Sequence, residues 1–253
     1  MSIHISPPFI ADKALVATLQ TTGYAVLPPA SAFELLGCTA QNAAAWLSSW
    51  NDLPPDAYLK DGGHYRRRRH SCFVVNALDV QQTPHRAHWQ PLEYNALHGG
   101  MQRMFEPMST YVAQSPAWAT MLSKLGQVCT ALKPETTTWF VEAHQFRIDT
   151  TDGIGRPTPE GAHRDGVDFV AVMLISRHGI KGGETRVFDV DGPAGQRFTM
   201  TEPWTLLLLD DERVIHESTP IQPLDTTSSS LSYRDTLVLT FRATAFQGEQ
   251  ALR

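Results

Sequence analysis

The sequence predicts a β-rich α+β fold, with an antiparallel sandwich or barrel in the C-terminal half and supporting helices in the N-terminal part. Three observations lead there. From about Thr136 onward, short runs rich in β-branched and aromatic residues follow one another. The segments between them are rich in Gly, Pro, Asp and Ser, the composition of turns. No helical pattern separates consecutive runs, which argues against the alternating strand–helix units of a parallel sheet.

Taken in order, Asp12 to Thr21 carries Ala14, Leu15 and Leu19 at helical spacing, with Gly23 as the stop. Tyr24–Leu27 is a short strand ended by Pro28 and Pro29. Ser31 can cap a helix running through Phe33, Leu35 and Leu36 towards Trp46 and Trp50, with Gly37 as its weak point. Pro54-Pro55 and Asp61-Gly62-Gly63 mark loops. Tyr65 to Val75 holds the basic run Arg66–Arg69 and ends as an apolar strand. Met101 to Leu132 reads as two helical pieces broken at Ser115-Pro116. Strands then follow at 139–149, 168–176, 184–190, 196–200, 204–210, 213–219 and 233–243. The expected organisation is one domain over 1–253, with 1–135 a mainly helical support region and 136–247 the β core.

Composition narrows the function. The 253 residues are 42% hydrophobic and 19% charged, enough apolar material for a sizeable core and unlike a disordered chain. The net charge of −5 counts against a grip on nucleic acid, which calls for a basic surface. Cys38, Cys72 and Cys129 are odd in number and lack CxxC spacing, so neither a disulfide framework nor a zinc-thiolate site is expected, and a reducing compartment fits. The first residues do not read as a signal peptide, and no apolar run approaches the roughly 18 residues of a membrane span. The expectation is a cytoplasmic protein acting on a small molecule, without nucleic acid or membrane as partner.

Nucleotide-binding fingerprints fail: Gly153-Ile154-Gly155 lacks the third glycine, and neither a P-loop nor a GxSxG elbow occurs. The sharpest positive signal is His163-Arg164-Asp165. In a strand, residues i and i+2 share a face, so both side chains can reach one ion. About one such pair is expected by chance in a chain with this many histidines and acids, so the context has to carry the argument. A third ligand is available in His216, which follows the apolar run Leu206–Leu209 and a turn at Asp210-Asp211. It could equally be a hydrogen-bonded core histidine. Two histidines and one carboxylate on one face of an ion leave coordination positions open, the arrangement of non-haem Fe(II) oxygenases. In the last strand, Arg234, Thr236, Val238, Thr240 and Arg242 share one parity. If that parity faces a barrel interior, an arginine and a hydroxyl there suit a carboxylate; the alternative is an outward polar face.

These motifs in this order resemble the 2-oxoglutarate- and Fe(II)-dependent dioxygenases with a double-stranded β-helix core. The bacterial group of the L-isoleucine 4-hydroxylase type, homologues of BsmA, is similar. The resemblance is carried by His144-Gln145-Phe146-Arg147, His163-Arg164-Asp165, Gly182-Gly183-Glu184, Val214-Ile215-His216 and the strand from Arg234 to Phe241. It implies a distorted double-stranded β-helix, jelly-roll and cupin-like, and hydroxylation of a small molecule, most plausibly a free aliphatic L-amino acid. It implies Fe(II) held by His163, Asp165 and His216, with 2-oxoglutarate as cosubstrate, O2 as oxidant, and Arg234 paired with the distal carboxylate of 2-oxoglutarate. Arg234 lies 18 residues beyond His216, a wider gap than in many relatives, which leaves Arg242 as a rival. Thr236 and Gln145 are the further cosubstrate candidates.

For the substrate, an extended basic run splits into Arg66/Arg68 and Arg67/Arg69 on opposite sides, and one pair could bind an acidic group. Arg67 and Arg69 are carried as candidates, with Arg147 and Asp168. Gln145 and Arg147 share one strand face and His144 takes the other; parity alone does not say which lines a site. His85 and His88 are expected in a solvated loop, and His70 and Cys72 in a structural role. Two other readings stay open: a cupin-like metalloenzyme that does not use 2-oxoglutarate, and a non-catalytic β-sandwich binding or sensor module.

Overall fold

The computed structural model describes residues 5–227 and 230–249. Alternation along three long strands sets its architecture. In β2 (Arg66–Asn76), β4 (Thr138–Asp149) and β12 (Tyr233–Arg242), one parity is apolar: Phe73 and Val75, then Trp139, Val141 and Ala143, then Leu237, Leu239 and Phe241. That face must be covered, and helices cover it. The longest, α5 (Pro116–Leu132), turns Trp118, Met121, Leu122, Leu125, Val128 and Cys129 onto the sheet at helical spacing. Ser115 caps it by accepting from the Trp118 amide. The shorter α1 (Leu15–Thr22), α2 (Pro29–Leu36) and α3 (Ala40–Trp46) add Leu15, Leu19, Leu36 and Trp46 to the same core.

The covered sheet has seven antiparallel strands. Besides the three above they are β1 (Tyr24–Leu27), β3 (Val80–Gln82), β5 (Phe169–His178) and β9 (Leu206–Asp210), in the order β1-β9-β5-β12-β4-β2-β3. Its other face meets smaller sheets. One is β10 (Val214–Ser218) with β7 (Thr185–Asp189) and β8 (Gly195–Phe198); the other pairs β11 (Ile221–Pro223) with β6 (Ile180–Gly182). Between the layers, Val26, Val170, Leu174, Leu207 and Leu209 of the large sheet pack against Val187, Phe198, Met200 and Val214. That apolar filling sits over β1, β9 and β5. Over β12, β4 and β2 the space between the layers is a cavity.

The β-rich α+β class and the jelly-roll arrangement of antiparallel sheets expected from sequence are therefore present. Three elements differ. The helix expected to run from Ser31 towards Trp50 is interrupted: α2 stops where Gly37 takes a φ of 62°, and a reciprocal capping box of Thr39 and Asn42 starts α3. Residues 101–109 are irregular instead of helical, because Arg103 bridges His88 through both backbone groups; only Thr110–Ala113 (α4) is helical before α5. The N-terminal 135 residues also supply β1, β2 and β3 to the large sheet, so that region is more than helical support. Among the described residues, no helix is long and apolar enough to cross a membrane.

Trp118 is fully buried, with ring centroids 5.8 Å from Trp46 and 5.7 Å from Phe73. Trp118→Ala is expected to cost about 3–5 kcal/mol of stability in a denaturant titration. Leu78→Ala, at a position 97% exposed, is expected to stay within about 0.5 kcal/mol of the parent.

Candidate active site

The cavity measures about 130 Å³ and collects polar side chains from both layers. From the small-sheet side come His163 and His216. Their backbones pair as an antiparallel bridge with N···O distances of 3.0 and 2.9 Å, and their rings stand 4.7 Å apart. Asp165 closes the group, with Oδ1 3.8 Å from His163 Nε2 and Oδ2 3.7 Å from His216 Nε2. All three ligand atoms lie within 4.8 Å of one another, so the set could hold one metal ion. The surroundings suit that use. His163 Nδ1–H donates to the Gly161 carbonyl at 2.9 Å, which leaves the Nε2 lone pair on the Asp165 side. Gln90 Nε2 donates to Asp165 Oδ1 at 3.2 Å.

The turn after Asp165 explains how two ligands from so short a motif converge. Gly166 takes a φ of 74°, and a Cβ there would sit 2.3 Å from the Tyr94 ring. The buried Asp211 carboxylate accepts the amides of Asp165, Gly166 and Val167 at 3.0, 2.7 and 3.1 Å. A second carboxylate, Glu160, lies 3.5 Å from His163 Nε2 and went unnoticed in the sequence. Burial, together with the neighbouring His163, depresses the His216 pKa.

The large-sheet wall is read off strand parity. Arg234, Thr236, Val238 and Thr240 of β12 line the cavity. Arg234 is buried and its Nε has no partner; burial, with Arg177 nearby, lowers its pKa to about 10. A buried guanidinium without a carboxylate is costly, and an anionic ligand would relieve that cost. Arg242, the rival, donates to the Ala245 carbonyl and borders a separate surface depression. The fit to an acid therefore belongs to Arg234.

The other sequence candidates are not in this cavity. Gln145 and Arg147 share parity with Trp139, Val141 and Ala143 and so face the helices. Gln145 donates to Ser49 Oγ at 2.6 Å, and Arg147 grips Asp235 at 2.7 and 2.8 Å. Arg67 and Arg69 fall on that same face, beside Asp149 and Glu106 respectively. Asp168 is paired with Lys133 and accepts the Ala243 amide at 2.8 Å. The pleat is the physical reason in the strand cases: apolar partners at i±2 commit the whole parity to the helical core.

In their place stand the other pair of the basic run and residues given no binding role in the sequence. Arg66 and Arg68 line the cavity, joined by Arg103 from the irregular segment. Arg66 Nη2, Arg68 Nε and Arg103 Nε are buried without partners. Asp56 offsets part of this charge, 2.7 Å from Arg66 and 3.9 Å from Arg68. Beside them His70, His88, Glu142 and His144 form a buried cluster. The expectation of a solvated loop for His88 is corrected: its bridge to Arg103 folds it into the cavity wall. The alternation Glu142-x-His144 opposite His70-x-Cys72 was the available signal, but it becomes visible only once β2 and β4 are paired.

Comparisons with known proteins give the family and the fold. The model of the 2OG-Fe dioxygenase family matches residues 47–240. The crystal structure of a bsmA homologue from Methylobium petroleophilum PM1 is similar at 50% identity, covering 98% of this chain and 99% of that one, with a TM-score of 0.90. IDO from Bacillus thuringiensis shares the fold at 16% identity, 96% and 100% coverage and a TM-score of 0.70. The Fe(II)/α-ketoglutarate-dependent dioxygenase TqaL does so at 20% identity, 91% and 86% coverage and a TM-score of 0.69. No curated protein matches the sequence.

The reassignment of Arg147 makes it a structural residue. Arg147→Met leaves the buried Asp235 carboxylate without its cation, so stability should fall by about 3–5 kcal/mol. The Michaelis constant for 2-oxoglutarate should stay within about twofold of the parent once the variant is folded. Denaturant titration and steady-state kinetics at reduced temperature check the two halves separately.

Proposed function

The chain belongs to the 2OG-Fe dioxygenase family, and on that premise we propose that it hydroxylates a small carboxylic acid, most plausibly a free aliphatic L-amino acid. As a 2-oxoglutarate-dependent non-haem iron dioxygenase it uses Fe(II), 2-oxoglutarate and O2. In the proposed assignment His163, Asp165 and His216 hold the iron, and Arg234 with Thr236 receives the distal carboxylate of 2-oxoglutarate. The observation that carries it is the meeting, in one cavity, of a two-histidine, one-carboxylate set with a buried arginine that lacks an acid. When bound, the iron supplies the activation of O2, with one oxygen atom going to the substrate C–H and the other to 2-oxoglutarate, which leaves as succinate and carbon dioxide.

The chain's own residues have separable roles. The Gly161 carbonyl fixes the His163 tautomer, and Gln90 steadies the Asp165 carboxylate, so the donor atoms are preorganised for an ion. Arg234 orients the cosubstrate through a charge-assisted contact made stronger by burial. Phe146, Ile148, Val172 and Val238 give apolar wall against which an aliphatic chain can lie with water excluded. Arg66, Arg68 and Arg103, with unpaired N–H groups, suit the substrate carboxylate.

Asp165→Ala removes the only carboxylate of the proposed triad. Iron retention and succinate formation should both fall to background; 2-oxoglutarate decarboxylation at the parent rate in this variant would reject the ligand set. Arg234→Ala should raise the 2-oxoglutarate requirement by about 30-fold or more, given the roughly 2–5 kcal/mol cost of truncating one partner of a buried charge pair. An unchanged requirement would reject Arg234. A succinate-release screen over free amino acids and small acids tests the substrate class, and no stimulation by any of them would reject it.

A further inference from the structure

We propose that Glu142, positioned by His88 and His70, forms a subsite for a protonated amine, so that the pocket reads the substrate as a zwitterion and not simply as an acid. This rests on the reading of the cavity as the hydroxylation site. Glu142 Oε2 accepts from His70 Nε2 at 2.9 Å and from His88 Nδ1 at 2.6 Å. Its other oxygen, Oε1, takes no hydrogen bond from the described residues and is not sealed in the interior, and Glu142 lines the cavity. Burial opposes the charge on this carboxylate, but the His88 and His70 donors outweigh it and hold the carboxyl below its ordinary range. A carboxylate oxygen thus fronts the cavity in ionised form.

His88 holds it there. Its Nδ1–H donates to Glu142 Oε2, and burial keeps the ring neutral, lowering its pKa to about 4, so the carboxylate is fixed without being cancelled by a formal charge. His88 lines the same cavity. The free oxygen of Glu142 is an anionic acceptor without a donor, the complement of an ammonium N–H. The guanidinium groups of Arg66, Arg68 and Arg103, each with one unpartnered nitrogen, border the same wall.

The cluster is arranged for a proton donor and not for a second metal ion, although its four candidate ligand atoms lie within 4.8 Å. Arg68 Nη2 lies 2.7 Å from His144 Nδ1, and a guanidinium can only donate. His144 Nδ1 is therefore the acceptor, its Nε2 carries hydrogen, and no lone pair remains there for an ion.

The test uses the Fe(II)- and 2-oxoglutarate-loaded protein under nitrogen, titrated calorimetrically with four probes of one side chain: L-leucine, N-acetyl-L-leucine, 4-methylpentanoate and L-leucinamide, alongside succinate release in air. The parent protein should prefer L-leucine over 4-methylpentanoate and the N-acetyl compound by about 10–100-fold, the worth of a hydrogen bond to a charged group. Glu142→Gln should erase most of that preference, so that L-leucine and 4-methylpentanoate bind within a few-fold of each other. His88→Gln, which keeps a hydrogen-bonding side chain at that position, should weaken the preference in the same direction and serves if Glu142→Gln does not fold. Equal binding of L-leucine and 4-methylpentanoate by the parent overturns the amine subsite while leaving hydroxylation of small acids in place. A preference that survives both substitutions also overturns it. A second equivalent of divalent metal, lost in Glu142→Gln, overturns it in favour of a metal cluster. Failure of every acid to bind or stimulate overturns the hydroxylase reading together with this one.

Discussion

The pairing register of β12, β4 and β2 is the constraint on which the site depends. It sets up rows across the sheet: Arg234–Ile148–Arg66, Thr236–Phe146–Arg68, Val238–His144–His70 and Thr240–Glu142–Cys72. Each row faces the cavity, and each intervening row faces the helices. A slip of one residue in any strand would drive Leu237 or Val141 into the cavity and send Arg234 or Glu142 into the apolar core. The register is held from the helical side, where Arg147 and Asp235 are direct cross-strand partners joined by two hydrogen bonds, and Ser176 of β5 adds a third contact to Asp235. Arg147, a substrate-binding candidate from sequence, instead locks in place the strands that carry the binding groups.

Placing this many charges in one interior requires that each be answered. Asp56 sits beside Arg66, the Gln90 amide oxygen accepts from Arg103, and His70 and His88 solvate Glu142 with N–H groups in the absence of water. Histidine suits this role because it stays neutral when buried, so it stabilises an anion without cancelling it. Arg234 stands apart, with no hydrogen bond or ion pair to it from the described residues, whereas Arg66, Arg68 and Arg103 each have at least one polar partner. A buried cation so unanswered marks where a ligand belongs.

Much of the fold was legible because alternation and turn chemistry are local. The strands from 139 onward, Gly23 as a helix stop, and His163, Asp165 and His216 as candidates all follow from residue types at short spacing. The facing of Gln145 and Arg147 was also within reach, since Trp139, Val141 and Ala143 continue their parity and only one face of β4 can pack on helices. What no local pattern gives is the pairing of β2 with β4 across some 70 intervening positions, as in His70 opposite His144, or the irregular path that carries His88, Gln90 and Arg103 into the wall. Those depend on tertiary closure, where the hydrogen bonds are between segments distant in sequence and the loop has no period to read.

The rows also explain how one small cavity can hold two acids. Arg234 and Arg66 occupy the same row, separated by the single strand that carries Ile148, and Thr236 and Arg68 likewise flank Phe146. Two strand spacings are about 9–10 Å, and the apolar side chains between them keep the two guanidinium groups from sharing one ligand. In the proposed assignment a cosubstrate acid on β12 and a substrate acid on β2 would each meet its own guanidinium, with an apolar strip between them where a C–H bond can lie. The overall charge of −5 is no obstacle, because cations concentrated on a buried, low-dielectric wall act over the cavity more strongly than a diffuse, solvent-screened surface excess of opposite sign. A site for small anions of the kind proposed is in this way a property of the pleat and does not require a basic protein.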